Sequence, residues 1–111
     1  MDTSEQYIKM RRAAIPDLGL GTLILSSMFV VTEDVSVDNK GDFYIHCDRA
    51  PYWCQLERQD QLQVLSGLSW QEFDKECLKY KADTKEQAGI QVVKKILASF
   101  YALFDKNAKI V

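Results

Sequence analysis

The spacing of apolar residues changes its period midway along the chain. From residue 22 to residue 56, apolar and β-branched residues run together or alternate with polar ones, as they do in strands. After residue 57 they recur every three or four positions, as they do in helices. A short helical pattern at residues 4–14 comes before both. The sequence therefore predicts an α+β fold with an N-terminal helix, an antiparallel sheet of three to four strands, and three C-terminal helices packed on one face of that sheet.

The N-terminal helix is predicted over Ser4–Ala14. Thr3 and Gln6 have the spacing of a capping box, in which two side chains satisfy free N–H groups at the helix start. Pro16 disfavours helical geometry in the residue before it, so we expect the helix to stop there. The run Thr22–Thr32 is rich in β-branched and apolar residues, and we predict it to be the central strand, buried on both faces.

A hairpin is predicted next, with strands at Val35–Val37 and Phe43–Cys47. The intervening Asp-Asn-Lys-Gly contains residues that readily take the left-handed conformations of a tight turn. Alternation along the second strand directs its odd-numbered residues to the core, and Tyr44 and His46 away from it. Another strand is predicted over Tyr52–Leu56, because the segment is aromatic and follows a proline.

Three helices are predicted after the sheet. The first contains the polar run Arg-Gln-Asp-Gln-Leu-Gln that begins at Arg58, and Gly67 supplies its C-terminal stop. A capping-box pattern opens each of the other two, which are predicted over Trp70–Lys81 and Lys85–Phe104. We expect the tail Asp105–Val111 to fray.

The last of these helices is apolar around most of its circumference. Its apolar positions are Ile90, Val92, Val93, Ile96, Leu97, Phe100, Tyr101, Leu103 and Phe104. Such a helix either lies between the sheet and other helices or contributes to a contact between subunits. The sequence therefore leaves a homodimer open.

Length and charge narrow the class of protein. The 111 residues, of which 47% are hydrophobic, fit a single α+β domain over residues 1–111. Fourteen basic and sixteen acidic residues give a formal net charge of -2, which supplies no general attraction to a phosphate backbone. Two short basic clusters are therefore interpreted as solvated faces rather than nucleic-acid contacts: Lys9, Arg11 and Arg12, and Lys75, Lys79 and Lys81.

We expect a cytoplasmic protein without a membrane partner. The longest apolar run, residues 23–31, is far shorter than the roughly 20 residues of a membrane-spanning helix. The chain start has no basic-then-apolar signal pattern, and the odd number of cysteines favours a reducing compartment.

Four residues offer the donor atoms of a zinc site: His46, Cys47, Cys54 and Cys77. Their spacing is poor, because adjacent residues on a strand point to opposite faces and no Cys-x-x-Cys pair occurs. Buried structural cysteines are the favoured interpretation, and we expect no cofactor.

A cysteine nucleophile is a further alternative. Cys47 or Cys54 would be activated by His46, which Asp48 or Asp42 would orient. No glycine-rich oxyanion loop or nucleophile elbow accompanies these residues.

The polar run and a nearby aromatic residue form the candidate interaction surface: Trp53, Arg58, Gln59, Asp60, Gln61 and Gln63. Tryptophan and arginine are favoured at interface centres, although a solvated helix face is the simpler explanation of the polar run. The function predicted is a non-enzymatic role through protein–protein contact. The alternative is a small hydrolase or metal-binding protein that uses His46 with Cys47 or Cys54.

Several of these segments together resemble a known group of proteins. Tyr-Ile-Lys-Met at residues 7–10, Tyr-Trp at residues 52–53, Arg-Gln-Asp-Gln-Leu-Gln at residues 58–63 and the helix from Thr84 resemble a loose family of small proteins encoded in bacteriophages and prophages. The family pattern has a proline where this chain has Glu57. The resemblance implies a phage or prophage origin, and it implies no chemistry because the family has no established activity.

Overall fold

The computed structural model describes residues 1–21, 27–47 and 53–110, and for residues 104–110 it describes only the course of the backbone. Two helices are followed by a four-stranded sheet and three more helices, so the predicted α+β fold is confirmed. The elements are α1 (Glu5–Ala13), α2 (Ile15–Leu18), β1 (Met28–Val30), β2 (Val35–Asp38), β3 (Phe43–His46), β4 (Trp53–Leu56), α3 (Gln59–Ser66), α4 (Trp70–Cys77) and α5 (Lys85–Ile110).

The four strands form an antiparallel sheet in the order β1-β2-β3-β4. The predicted hairpin is confirmed as β2 and β3, and Gly41 takes a φ of +83° in its turn. The Asp38 carboxylate accepts the backbone N–H groups of Lys40 and Asp42, each at 2.9 Å. Local turn chemistry therefore fixes this hairpin.

The prediction of a central strand over Thr22–Thr32 is wrong. Its described part contributes only the three residues of β1, which lies at the edge of the sheet. Phe29 and Val30 are exposed there. Residues 22–26 lie outside the described residues, as does Tyr52 of the predicted last strand. A β-branched run has the same composition at an edge as at a centre, so composition alone did not determine its position.

The helix ends differ from the predictions for local reasons. Ser4 rather than Thr3 caps α1, because the Ser4 hydroxyl accepts the N–H of Tyr7 at 3.2 Å. Pro16 lies in the first turn of α2, where its missing N–H has no helical partner to lose. The tail that we expected to fray continues α5 to Ile110.

The helices pack on one face of the sheet, as predicted. The buried core includes Tyr7, Ile8, Val35, Ile45, Cys54, Leu56, Leu62, Phe73, Ile90 and Val93. Both the strands and helices α1, α3, α4 and α5 contribute to this set. Burial of each large side chain contributes about 1.5–3 kcal/mol to folding, so this face is the main source of stability.

Tyr44 was predicted to point away from the core, yet it is only 3% exposed. It lies on the second face of the sheet beside its strand neighbours Ser36 and Gln55, which are also buried. The chain at Gly21 lies against the Gln55 side chain, and the Gln55 N–H donates to the carbonyl of Leu20 at 2.8 Å. The second face is therefore partly covered rather than open to solvent.

Asp2 joins the starts of α1 and α5. Its carboxylate accepts the N–H of Ser4 at 2.8 Å, the Gln87 amide at 3.0 Å and the Thr84 hydroxyl. Burial by itself raises the pKa of Asp2, but the hydrogen bonds from Ser4, Thr84 and Gln87 outweigh it and hold that pKa below its ordinary value. The charge stabilises two helix N-termini at once.

Replacing Asp2 with asparagine is expected to lower the free energy of unfolding by about 1 kcal/mol at pH 7. Because the folded-state pKa is lowered, the stabilisation is present above about pH 4 and is lost as pH falls through the folded value. Urea unfolding across pH 2–7 should therefore show the difference from wild type disappearing in acid. Asp34→Asn, at an exposed aspartate, is the matched control. An equal pH dependence in wild type and Asp2→Asn would contradict this role.

Candidate interaction surface

The guanidinium of Arg58 joins the β2–β3 turn to the start of α3 through hydrogen bonds. Its Nη1 donates to Asp42 Oδ1 at 2.8 Å and to the carbonyl of Gly41 at 2.5 Å. Its Nε and Nη2 donate to the two carboxylate oxygens of Asp60, each at 3.0 Å. Every donor nitrogen of this predicted interaction residue thus has a partner within the chain.

The three glutamines of the predicted surface also bond within the chain. Gln61 accepts the N–H of Arg58 at 2.9 Å and donates to Asp42 at 2.7 Å. Gln59 donates to Glu86 at 3.3 Å, and Gln63 donates to the carbonyl of residue 68 at 2.5 Å. These bonds occupy polar groups that a partner would otherwise use.

Trp53 lies apart from this polar cluster. It precedes Arg58 by five positions, which is about 16 Å of extended chain. Its indole meets the ring of His46 edge-on, with centroids 5.4 Å apart. The structure therefore does not bring the tryptophan and the arginine together into one contact surface.

Arg11, assigned from the sequence to a solvated basic cluster, is fully buried. Its Nε donates to Glu57 Oε1 at 2.6 Å, and its Nη2 donates to the carbonyl of Gly19 at 2.7 Å. The Tyr7 hydroxyl donates to the carbonyl of Glu57 at 2.7 Å. Burial raises the pKa of Glu57, while the Arg11 guanidinium beside it opposes that rise. This ion pair joins α1 to the segment between β4 and α3.

The residues proposed for cysteine chemistry lie on different faces of the sheet. Cys54 pairs with Ile45 and is buried in the core, whereas His46 pairs with Trp53 and is exposed on the opposite face. Burial raises the pKa of the Cys54 thiol to about 11, so the thiol stays protonated near neutral pH. The geometry does not assemble the His46–Cys54 pair that a nucleophile requires.

The four proposed zinc ligands do not lie close together either. Cys47 and Cys54 belong to the core face of the sheet, Cys77 lies on α4, and His46 points the other way. Within residues 1–21, 27–47 and 53–103, no three His, Cys, Asp or Glu side chains lie close enough together to hold a metal ion.

Among the helices of the described chain, none has the length and apolar character to cross a membrane.

The second half of α5 carries three large apolar side chains that are exposed. The helix is about 39 Å long at 1.5 Å per residue. Among its side chains up to residue 103, Leu97 is the last that packs against the core. Beyond it, Phe100 is 64% exposed, Tyr101 51% and Leu103 59%. We call residues 99–110 the α5 end.

The exposed residues continue the same stripe that α5 buries in its first half. Phe100 follows Val93 by seven positions and Ile96 by four, so the three lie on one side of the helix. Val93 is fully buried, and Ile96 packs at the margin of the core. The core-facing surface of α5 therefore runs on past the body of the protein.

A groove lies beside this stripe, between α4 and α5. Its volume is about 410 Å³, and its lining residues are Leu68, Glu72, Lys75, Glu76, Val92, Lys95, Ile96 and Ser99. Its apolar floor is formed by Leu68, which precedes α4, and by Val92 and Ile96 of α5, and charged side chains from both helices form its rim. We call it the α4–α5 groove.

Charge is divided unevenly along the chain. Residues 94–111 carry four lysines and one aspartate, a charge of +3, whereas residues 1–93 carry ten basic and fifteen acidic residues, a charge of -5. The α5 end and the lysines before it are therefore apolar and basic, and the rest of the protein is acidic.

The sequence predicted the apolar stripe of α5 but missed the buried ion pair. Arg11 follows Tyr7 by four positions and precedes Ala14 by three, which placed it on the apolar face of the first helix. This position on the apolar face was the sign in the sequence that Arg11 is buried.

No family model, curated protein or solved structure matches this chain.

Proposed function

We propose that this protein is a non-enzymatic interaction protein of the cytoplasm, of phage or prophage origin, and that the α5 end is its contact surface. The observation that carries the proposal is the continuous apolar stripe of α5, which the body of the protein buries up to Leu97 and leaves exposed at Phe100 and Leu103. Exposed, contiguous apolar surface of this kind is typical of a protein contact site.

The aromatic character of the stripe supports the same proposal. The rings of Phe100 and Tyr101 lie 6.4 Å apart in an edge-to-face arrangement. Aromatic side chains of this size dominate the energy of many interfaces because they bury a large area in few rotamers. The polar cluster around Arg58 then has a structural role and supports the hairpin.

The test is retention of proteins from a bacterial lysate by the immobilised chain. Wild type is compared with Phe100→Glu, which places a charge in the stripe, and with Ala98→Glu, which places the same charge on the opposite side of the helix. We expect wild type and Ala98→Glu to retain the same proteins, added copies of this chain included, and Phe100→Glu to lose them. Equal retention by all three would contradict the proposal.

A further inference from the structure

We propose that the partner of the α5 end is a second copy of this chain, in a dimer whose two α5 helices cross antiparallel near Phe100. This inference rests on the function proposed above and names the partner of the same surface. One chain carries both halves of a matched contact: a projecting apolar helix end and, beside the same helix, a groove with an apolar floor. In a dimer with twofold symmetry, the helix end of each copy meets the groove of the other, so the same contact forms twice.

The position of the groove fits this crossing. When two antiparallel helices cross near residue 100, residues 104–108 of one copy lie level with residues 92–96 of the other. Val92, Lys95 and Ile96 line the α4–α5 groove. The α5 end of each copy therefore lies along the groove of its partner and extends the apolar contact beyond the helix crossing.

Charge selects the antiparallel arrangement. Residues 94–111 carry a charge of +3, so a parallel pair would set two basic ends side by side. The antiparallel pair separates these ends and sets each of them over the acidic body of the other copy. Glu72 and Glu76 stand on the groove rim, together with Lys75 and Lys95, so the groove itself is neutral and the attraction comes from the body as a whole.

Sedimentation equilibrium of the full chain over a wide range of concentrations measures the dimer directly. We expect wild type and Ala98→Glu to dimerise, and Phe100→Glu to dimerise about 30-fold more weakly or worse. Raising the salt concentration should weaken the wild-type dimer, because the charge attraction is screened. Circular dichroism confirms that each variant is folded, which is expected because positions 98 and 100 are both exposed.

Cysteine cross-linking tests the crossing point without relying on Phe100→Glu. Position 100 faces its own copy across the twofold axis, so Phe100→Cys should form a covalent dimer under mild oxidation, and Ala98→Cys should not. The native Cys47, Cys54 and Cys77 are buried, so they do not compete. Monomers at every concentration, or equal cross-linking at both positions, would overturn the second copy as partner.

The two proposals fail separately. If the chain is monomeric but lysate proteins or anionic vesicles are retained in a manner that depends on Phe100, the second copy is the wrong partner. In the lysate case, the α5 end remains a protein contact surface, whereas binding to vesicles alone would overturn that function as well. If neither dimer formation nor retention depends on Phe100, both proposals are wrong.

Discussion

Arg11→Met should lower the free energy of unfolding by about 3–5 kcal/mol at pH 7, because it leaves the Glu57 carboxylate buried without its cation. Both side chains are almost completely buried, at 0% and 2% exposed, so solvent cannot replace the lost partner. Arg12→Met is the matched control. It makes the same substitution at the next position, where Arg12 is exposed and donates to the carbonyl of His46 at 3.0 Å.

The pH dependence of this loss has a defined sign. Burial raises the pKa of Glu57, and without Arg11 nothing in the pair opposes that rise. A raised folded-state pKa stabilises the protein below the unfolded pKa of about 4.3, and this stabilisation is lost as pH rises through the folded value. The difference in free energy of unfolding between wild type and Arg11→Met should therefore become smaller as pH falls from 7 to 4.

Urea unfolding of the wild type and variants measures both effects. Arg11→Met combined with Glu57→Gln should recover much of the loss, because no buried charge then remains. If Arg11→Met were no less stable than Arg12→Met, the buried pair would not hold α1 against the segment after β4.

Gly89→Val should lower the free energy of unfolding by about 2–3 kcal/mol, because α5 approaches α3 and α4 closely at this glycine. A Cβ there would lie 2.8 Å from the Phe73 ring and 3.1 Å from a methyl carbon of Leu62. Both neighbours are fully buried and have no free space into which to move. The substitution therefore forces the helices apart.

Ala98→Val is the matched control for Gly89→Val. It introduces the same residue into the same helix at an exposed position. The free energy of unfolding should therefore fall by no more than about 0.7 kcal/mol, through the weak helix propensity of valine. Thermal and urea unfolding of both variants give the comparison. Equal stability of the two would show that the packing at Gly89 is looser than the distances indicate.

Most of the fold was predictable because its signals are local. The hairpin follows from the turn residues around Gly41, and the starts of α4 and α5 follow from capping side chains at Ser69 and Thr84. The position of β1 was not predictable in this way. Whether an apolar strand lies at an edge or a centre depends on pairing with distant residues, and the same limit explains the burial of Tyr44.

The candidate site was predictable only in part for the same reason. The apolar stripe of α5 was evident from helical spacing, but the sequence did not show that its second half projects past the core. Arg11 and Glu57 are 46 residues apart, so their pairing is a property of the fold. The polar run at Arg58 resembled an interaction surface because its intramolecular partners in the β2–β3 turn are also distant in sequence.

The central claim is that a second copy covers the α5 end in solution. Amide hydrogen exchange at residues 98–103, followed by mass spectrometry at low and high protein concentrations, tests it most directly. We predict that exchange in this segment slows as concentration rises in wild type and in Ala98→Glu, and stays fast in Phe100→Glu. Exchange that is equally fast in all three proteins at every concentration would contradict the claim.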